Sequence, residues 1–235
     1  MSIYVFLGPT LAVTEARRIL DATYLPPVVM GDVAAVLMQP TMPRAIAIID
    51  GVFQNVPAVW HKEILFALSQ GVRVFGSSSM GALRAAELHA FGMEGVGRIF
   101  AAYRDSVLED DDEVAVIHGP AEFGYPQLSE AMVNIREGLV RAEARGIISA
   151  TTRARLVQGA KQMFYPERSW PSVLACGVAL GLPAAELATL QAFVRQTAPN
   201  LQREDALALL RHLATLWADG LTPHTPQFIF EPGDY

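Results

Sequence analysis

VRVFGSSSMGALRAAEL, residues 72–88, decides how the rest of the chain is read. Residues 72–75 form an apolar run of strand character, Gly76 interrupts it, and three serines follow. Residues 80–88 are rich in Ala and Leu, the strongest helix formers. A strand that turns sharply into a helix leaves the first helical N–H groups without intrahelical partners, which makes a place for an anion or oxyanion. Ser77, Ser78 and Ser79 can therefore cap the helix, hold an anion or supply a nucleophile. The triplet Ser79-Met80-Gly81 approaches the nucleophile-elbow pattern G-x-S-x-G, with Ser77 at the first position around Ser79 and Met80 at the last around Ser78.

Working outward, residues 1–91 alternate strand and helix. Residues 3–7 and 45–49 read as buried apolar strands, and 28–30 as a short strand after Pro26-Pro27. Thr10 or Thr14 caps a helix running to about Ala22, residues 31–39 are ambiguous, and a helical stripe runs from Pro57 to Gly71. Such alternation predicts an α/β fold, a mostly parallel sheet covered by helices, with ligands gathering at the carboxyl ends of the strands. Gly8-Pro9-Thr10, Asp50-Gly51 and the serines all follow strands and are expected to converge there.

The glycine-rich FGMEGVG, residues 91–97, lacks the strand–turn–helix setting of a dinucleotide fingerprint and reads as a loop. The five carboxylates at 109–113 read as a solvated loop, and 114–117 as a strand closing the α/β part. Beyond Tyr125 the periodicity is helical throughout. The expected division is an α/β core over 1–120, a helical C-terminal part over 121–220 packed on the core, and an extended tail over 221–235.

The chain has 235 residues, 51% hydrophobic and 18% charged, with a net charge of -6. That composition suits a folded domain with a large core and argues against a nucleic-acid partner, which needs a basic surface. No apolar run reaches the roughly 20 residues of a membrane span, and the N-terminal stretch lacks the features of a signal peptide. The single cysteine, Cys176, lies in an apolar helical stretch and reads as core, and a soluble cytoplasmic protein is expected. The five histidines show no zinc spacing, so no metal and no cofactor are expected.

A serine hydroxyl needs a base to take its proton. A triad of serine with His61 or His118 and Asp50 is one arrangement. Lys62 is the other: turned inward beside Trp60, Ile64 and Leu65 it would be desolvated, whereas facing outward it is an ordinary surface lysine. Asp50 is either a turn residue or a polariser of that lysine. Arg84 and Glu87, at i and i+3, either pair on the surface or anchor a substrate tail.

AIAIIDGVF (45–53), HKEIL (61–65), the serine block, FGMEGVG and DDDEVAVIH (110–118) together resemble the TfuA-like family. The resemblance implies a partner of YcaO-type enzymes in backbone thioamidation of a peptide or protein, a post-translational modification of the kind found in RiPP biosynthesis. The YcaO enzyme activates the amide with ATP. The TfuA-like protein is implied to be a hydrolase that releases sulfur from a thiocarboxylated, ubiquitin-like sulfur carrier and helps YcaO bind its substrate. Its implied site is a Ser–Lys dyad, which falls here on Lys62 and on Ser79 or Ser78. The SMG triplet favours Ser79, with Gly8, Asp50, Gly51, Arg84 and Glu87 around it. A non-catalytic adaptor that recruits carrier or peptide substrate to YcaO is the alternative.

Overall fold

A computed structural model describes residues 2–54, 56–197 and 199–231. Its centre is a five-stranded, all-parallel sheet in the order β2-β1-β3-β4-β5. The strands are β1 (Ile3–Phe6), β2 (Thr23–Leu25), β3 (Ala45–Ile48), β4 (Arg73–Ser77) and β5 (Glu94–Val96). All four residues of β3 are buried, as a strand between two helical layers must be. The strand order reverses direction between β1 and β3. In a doubly wound sheet that switch point opens a crevice at the carboxyl ends of the two strands.

Crossovers between the strands carry α1 (Val13–Ala16), α2 (Asp32–Leu37), α3 (His61–Ser69) and α4 (Met80–Leu88), and α5 (Arg98–Arg104) follows β5. One face of the sheet is set by the period-2 alternation of Ile3, Val5 and Leu7 with Ala45, Ala47 and Ile49. It packs against Ala206, Leu207, Leu210 and Leu213 of α10 (Leu201–Ala218). Asp205 of the same helix accepts the Ile99 N–H at 2.8 Å and so caps α5, filling the space that the missing side chain of Gly97 leaves.

The chain therefore divides into two compact units, Met1–Glu109 with Gln202–Tyr235, and Asp110–Leu201. Periodicity alone groups α10 with the preceding helices, whereas its apolar stripe completes the sheet unit. The second unit is helical: α6 (Met132–Ala144), α7 (Ala150–Gln162), α8 (Trp170–Ala179) and α9 (Ala184–Thr197) enclose a core of Ile135, Leu139, Leu156, Val173 and Leu190.

Several local expectations are corrected. The second strand precedes Pro26-Pro27 instead of following them, because the helix expected up to Ala22 stops at Ala16. Val28 makes an isolated parallel bridge to Gly51. Gly76 does not end β4 but pairs with Gly95 inside the sheet. The glycine-rich stretch contains β5; Gly95 is tolerated there because the Phe100 ring occupies the place of a side chain. Residues 114–117 form no strand. The acidic run is largely ion-paired rather than solvated: Lys161 meets Asp110, Asp112 and Glu113, Arg136 meets Glu113, and the fully buried Arg168 meets Asp112. Half-buried Cys176 packs against Gly159. Beyond Ala218 the described tail is extended, with the His224 N–H on the Gly71 carbonyl (2.9 Å), Phe228 on Phe91 and Phe230 on Phe66; 232–235 lie outside the described residues.

Candidate functional site

The turn between β4 and α4 is shaped by two contacts that only glycine allows. A side-chain carbon on Gly76 would lie 2.0 Å from the Gly81 carbonyl oxygen, and one on Gly81 would lie 1.7 Å from the Ile48 carbonyl oxygen. Strand and helix thus approach backbone to backbone, and the chain reverses within the three serines. Ser78 takes the strain, with φ of +69°. The Ser79 N–H donates to the Ser77 carbonyl at 2.9 Å, closing a three-residue turn around Ser78. A non-glycine residue held this way costs about 1–3 kcal/mol and persists where its surroundings over-determine it, often at functional sites.

The three serines have different surroundings, and all are buried, at 0, 0 and 3% exposure. Ser77 donates to the Val96 carbonyl at 2.7 Å and joins β4 to the end of β5. Ser79 occupies the N-cap position of α4. Ser78 Oγ lies 3.4 Å from Thr10 Oγ1, on the loop after β1. Thr10 Oγ1 in turn donates to Asp50 Oδ1 at 2.6 Å, and the Gly8 and Thr10 N–H groups donate to Asp50 Oδ2 at 2.8 and 3.2 Å. Asp50 is 2% exposed. Loops after β1, β3 and β4 therefore meet at the switch point, as the alternation of elements requires, with Gly51 packed beneath Met80.

Two of the amides expected to face an oxyanion are engaged: Ser79 and Gly81 N–H both donate to the Ile49 carbonyl, at 3.3 and 3.4 Å. Lys62 is exposed, the outward-facing of its two expected placements. The buried stripe of α3 is Glu63, Ile64, Ala67 and Leu68, so the helix phase turns Lys62 outward. It borders a cavity of about 450 Å³ with Met30, Trp60, Phe66 and Phe230. Glu63, unremarked in sequence, accepts the Gly31 N–H at 2.8 Å and the Trp60 N–H at 3.3 Å. Arg84 donates to Glu87 (2.7 Å) and to the Val59 carbonyl (3.1 Å), and His61 meets Glu87 at 2.8 Å. These side chains tie α3 to α4, and His61 is thereby directed at a carboxylate other than Asp50. His118 belongs to the helical unit.

Thr10 comes to Asp50 and Ser78, as expected of a loop at the carboxyl end of β1, whereas its other reading as a helix cap fails, since Ala12 holds the N-cap position of α1. Among the described residues no group of three or more His, Cys, Asp or Glu side chains is placed to hold a metal ion, and no helix is long and apolar enough to cross a membrane.

Fold and site define a doubly wound α/β protein with a strand–serine–helix elbow at its switch point. A family model described as TfuA-like protein matches residues 50–169, just over half of the chain, and the chain belongs to that family. The match starts at Asp50 and takes in the elbow and much of the helical unit, but not the loop that carries Thr10. No curated protein matches the chain. Membership links the protein to YcaO-dependent thioamidation.

Proposed function

We propose that this protein is an accessory hydrolase of YcaO-dependent backbone thioamidation, releasing sulfide from the thiocarboxylate of a ubiquitin-like sulfur carrier. The observation that carries the reading is Ser78: a strained serine on a strand-to-helix elbow, its hydroxyl beside a threonine held by a buried carboxylate. The backbone favours Ser78 over Ser79 as nucleophile, because the positive φ and the contact with Thr10 both fall on Ser78.

In the reaction Ser78 Oγ bonds to the thiocarboxylate carbon, the C–S bond breaks, and the serine proton leaves with sulfur as hydrosulfide. Water then cleaves the acyl-serine, returning the carrier carboxylate, the serine hydroxyl and a proton. Lys62, the base implied by the family resemblance, borders the cavity beside α3, and a docked carrier that covers it would supply the desolvation a lysine base needs. Carrier binding also has to open a path to Ser78, which is fully buried.

That burial favours one second reading, a non-catalytic adaptor that brings carrier or peptide substrate to YcaO. Incubation with a thiocarboxylated carrier, with sulfide as the readout, separates the two. The hydrolase reading expects release by the wild type, loss in Ser78→Ala and in Lys62→Met, and a double variant scarcely worse than either single one. Loss in Ser79→Ala with an active Ser78→Ala moves the nucleophile to Ser79. No release by the wild type supports the adaptor.

A further inference from the structure

We infer that Thr10 is a positioning residue that sets the direction of the Ser78 hydroxyl. The inference rests on the reading of Ser78 as nucleophile and follows from an account of donors. The Asp50 carboxylate accepts on both oxygens: Oδ2 from the Gly8 and Thr10 amides, Oδ1 from the Thr10 hydroxyl. The last bond, at 2.6 Å, has the length of a charge-assisted O–H···O⁻ contact. A hydroxyl has one proton. With that proton committed to Asp50, Thr10 Oγ1 offers Ser78 only lone pairs, and at 3.4 Å Ser78 Oγ is the donor.

The consequence is directional. In the resting site Ser78 points its proton toward Thr10 and keeps its own lone pairs on the other side of the oxygen, turned to an electrophile; on attack that proton turns from Thr10 and passes to the base. A threonine is well suited to hold that direction, since its branched Cβ restricts χ1, and at 7% exposure its hydroxyl has little water to choose instead. Its own amide is tied to the same carboxylate, so main chain and side chain are fixed together. Gly8 and Thr10 thus come from the loop after β1, Asp50 from the loop after β3 and Ser78 from the turn after β4, and the parallel sheet brings these three segments to one edge.

The test compares Thr10→Ser, Thr10→Val and wild type in sulfide release from a thiocarboxylated carrier, with circular dichroism confirming folding. Thr10→Val is expected to lower kcat on the order of 100-fold with KM unchanged, the scale of a misaligned reacting group, and Thr10→Ser to recover kcat to within about threefold. Thr10→Ala, which leaves room for a water, replaces Thr10→Val if the latter does not fold. A second readout is independent of activity: crystal structures are expected to show Ser78 Oγ rotated to another χ1 well in Thr10→Val and unmoved in Thr10→Ser. Wild-type kcat in Thr10→Val overturns the inference. So does a Thr10→Ser as slow as Thr10→Val, which would indicate packing, or an unmoved Ser78 in Thr10→Val. Absence of sulfide release from the wild type sinks the hydrolase reading instead, and the χ1 comparison then still decides whether Thr10 orients Ser78.

Discussion

Replacing Asp112 with Asn leaves Arg168 without its anionic partner. Arg168 is fully buried, and its Nη2 lies 2.5 Å from Asp112 Oδ2. Removing one member of a buried ion pair costs about 3–5 kcal/mol. Asp112 is 30% exposed, and the guanidinium keeps bonds to the carbonyls of Asp112, Ala160 and Lys161. These lower the expected loss to about 2 kcal/mol. With a urea slope of about 1.5 kcal/mol/M for a unit of this size, the midpoint falls by about 1.3 M. Trp170, which starts α8 in the same unit, reports the transition once Trp60 and Trp217 are replaced by Phe. The sign with pH can also be stated. Desolvation pushes the Asp112 carboxyl up, but the hydrogen bonds and charges of Lys161 and Arg168 outweigh it and the net shift is downward. The contribution is therefore full above the unfolded carboxyl's value of about 4 and fades as pH falls through the lower folded value, so the two midpoints should converge on acidification. A loss below about 0.3 M near neutral pH, or one no larger than that of the exposed Asp111→Asn, would refute the reasoning.

Gly81→Ala drives a methyl into the Ile48 carbonyl, a backbone atom that no rotamer change can move; a loss of at least about 3 kcal/mol is expected in thermal or urea unfolding. At Gly146, where nothing lies near, the same change should cost about 1 kcal/mol for its positive φ. Burial pushes the Asp205 carboxyl up despite the amides of Ile99 and Arg98, so its contribution is greatest at low pH and is lost as pH rises through the folded value. Asp205→Asn, which keeps the capping oxygen, should accordingly raise Tm at pH 7 with the gain vanishing toward pH 3, whereas Asp205→Ala should cost about 1 kcal/mol through loss of the cap.

What the sequence discloses follows the range of the forces involved. The 45–48 run is legible because a strand covered on both faces must be apolar throughout. The meeting of the loops at Gly8, Asp50 and the serines is legible because parallel topology dictates it. β5 is not: three residues around a glycine carry no periodicity, and only the β4 edge and the Phe100 ring make them a strand. The choice between Ser78 and Ser79 is equally hidden, since positive φ at Ser78 is forced by close approach of Gly76, Gly81 and Ile48 across the fold. The placement of Lys62 stays open in sequence because Trp60 and Leu65 suggest an apolar neighbourhood, whereas the buried stripe is one residue out of phase, with Glu63 inside to hold the α2 amides. The acidic run gives no hint of its partners, which lie 23 to 56 residues away.

The return of α10 to the sheet has a consequence for synthesis. The helix whose leucines cover Ile3, Val5, Ala45 and Ala47 is translated only after the whole of Asp110–Leu201. At about 5–20 residues per second, the strands wait roughly 5–20 seconds with one apolar face uncovered. The helical unit, contiguous in sequence, needs no such later segment to complete its core. A released fragment ending at residue 201 should thus hold a completed second unit and a sheet still open to chaperones, and proteases should distinguish the two.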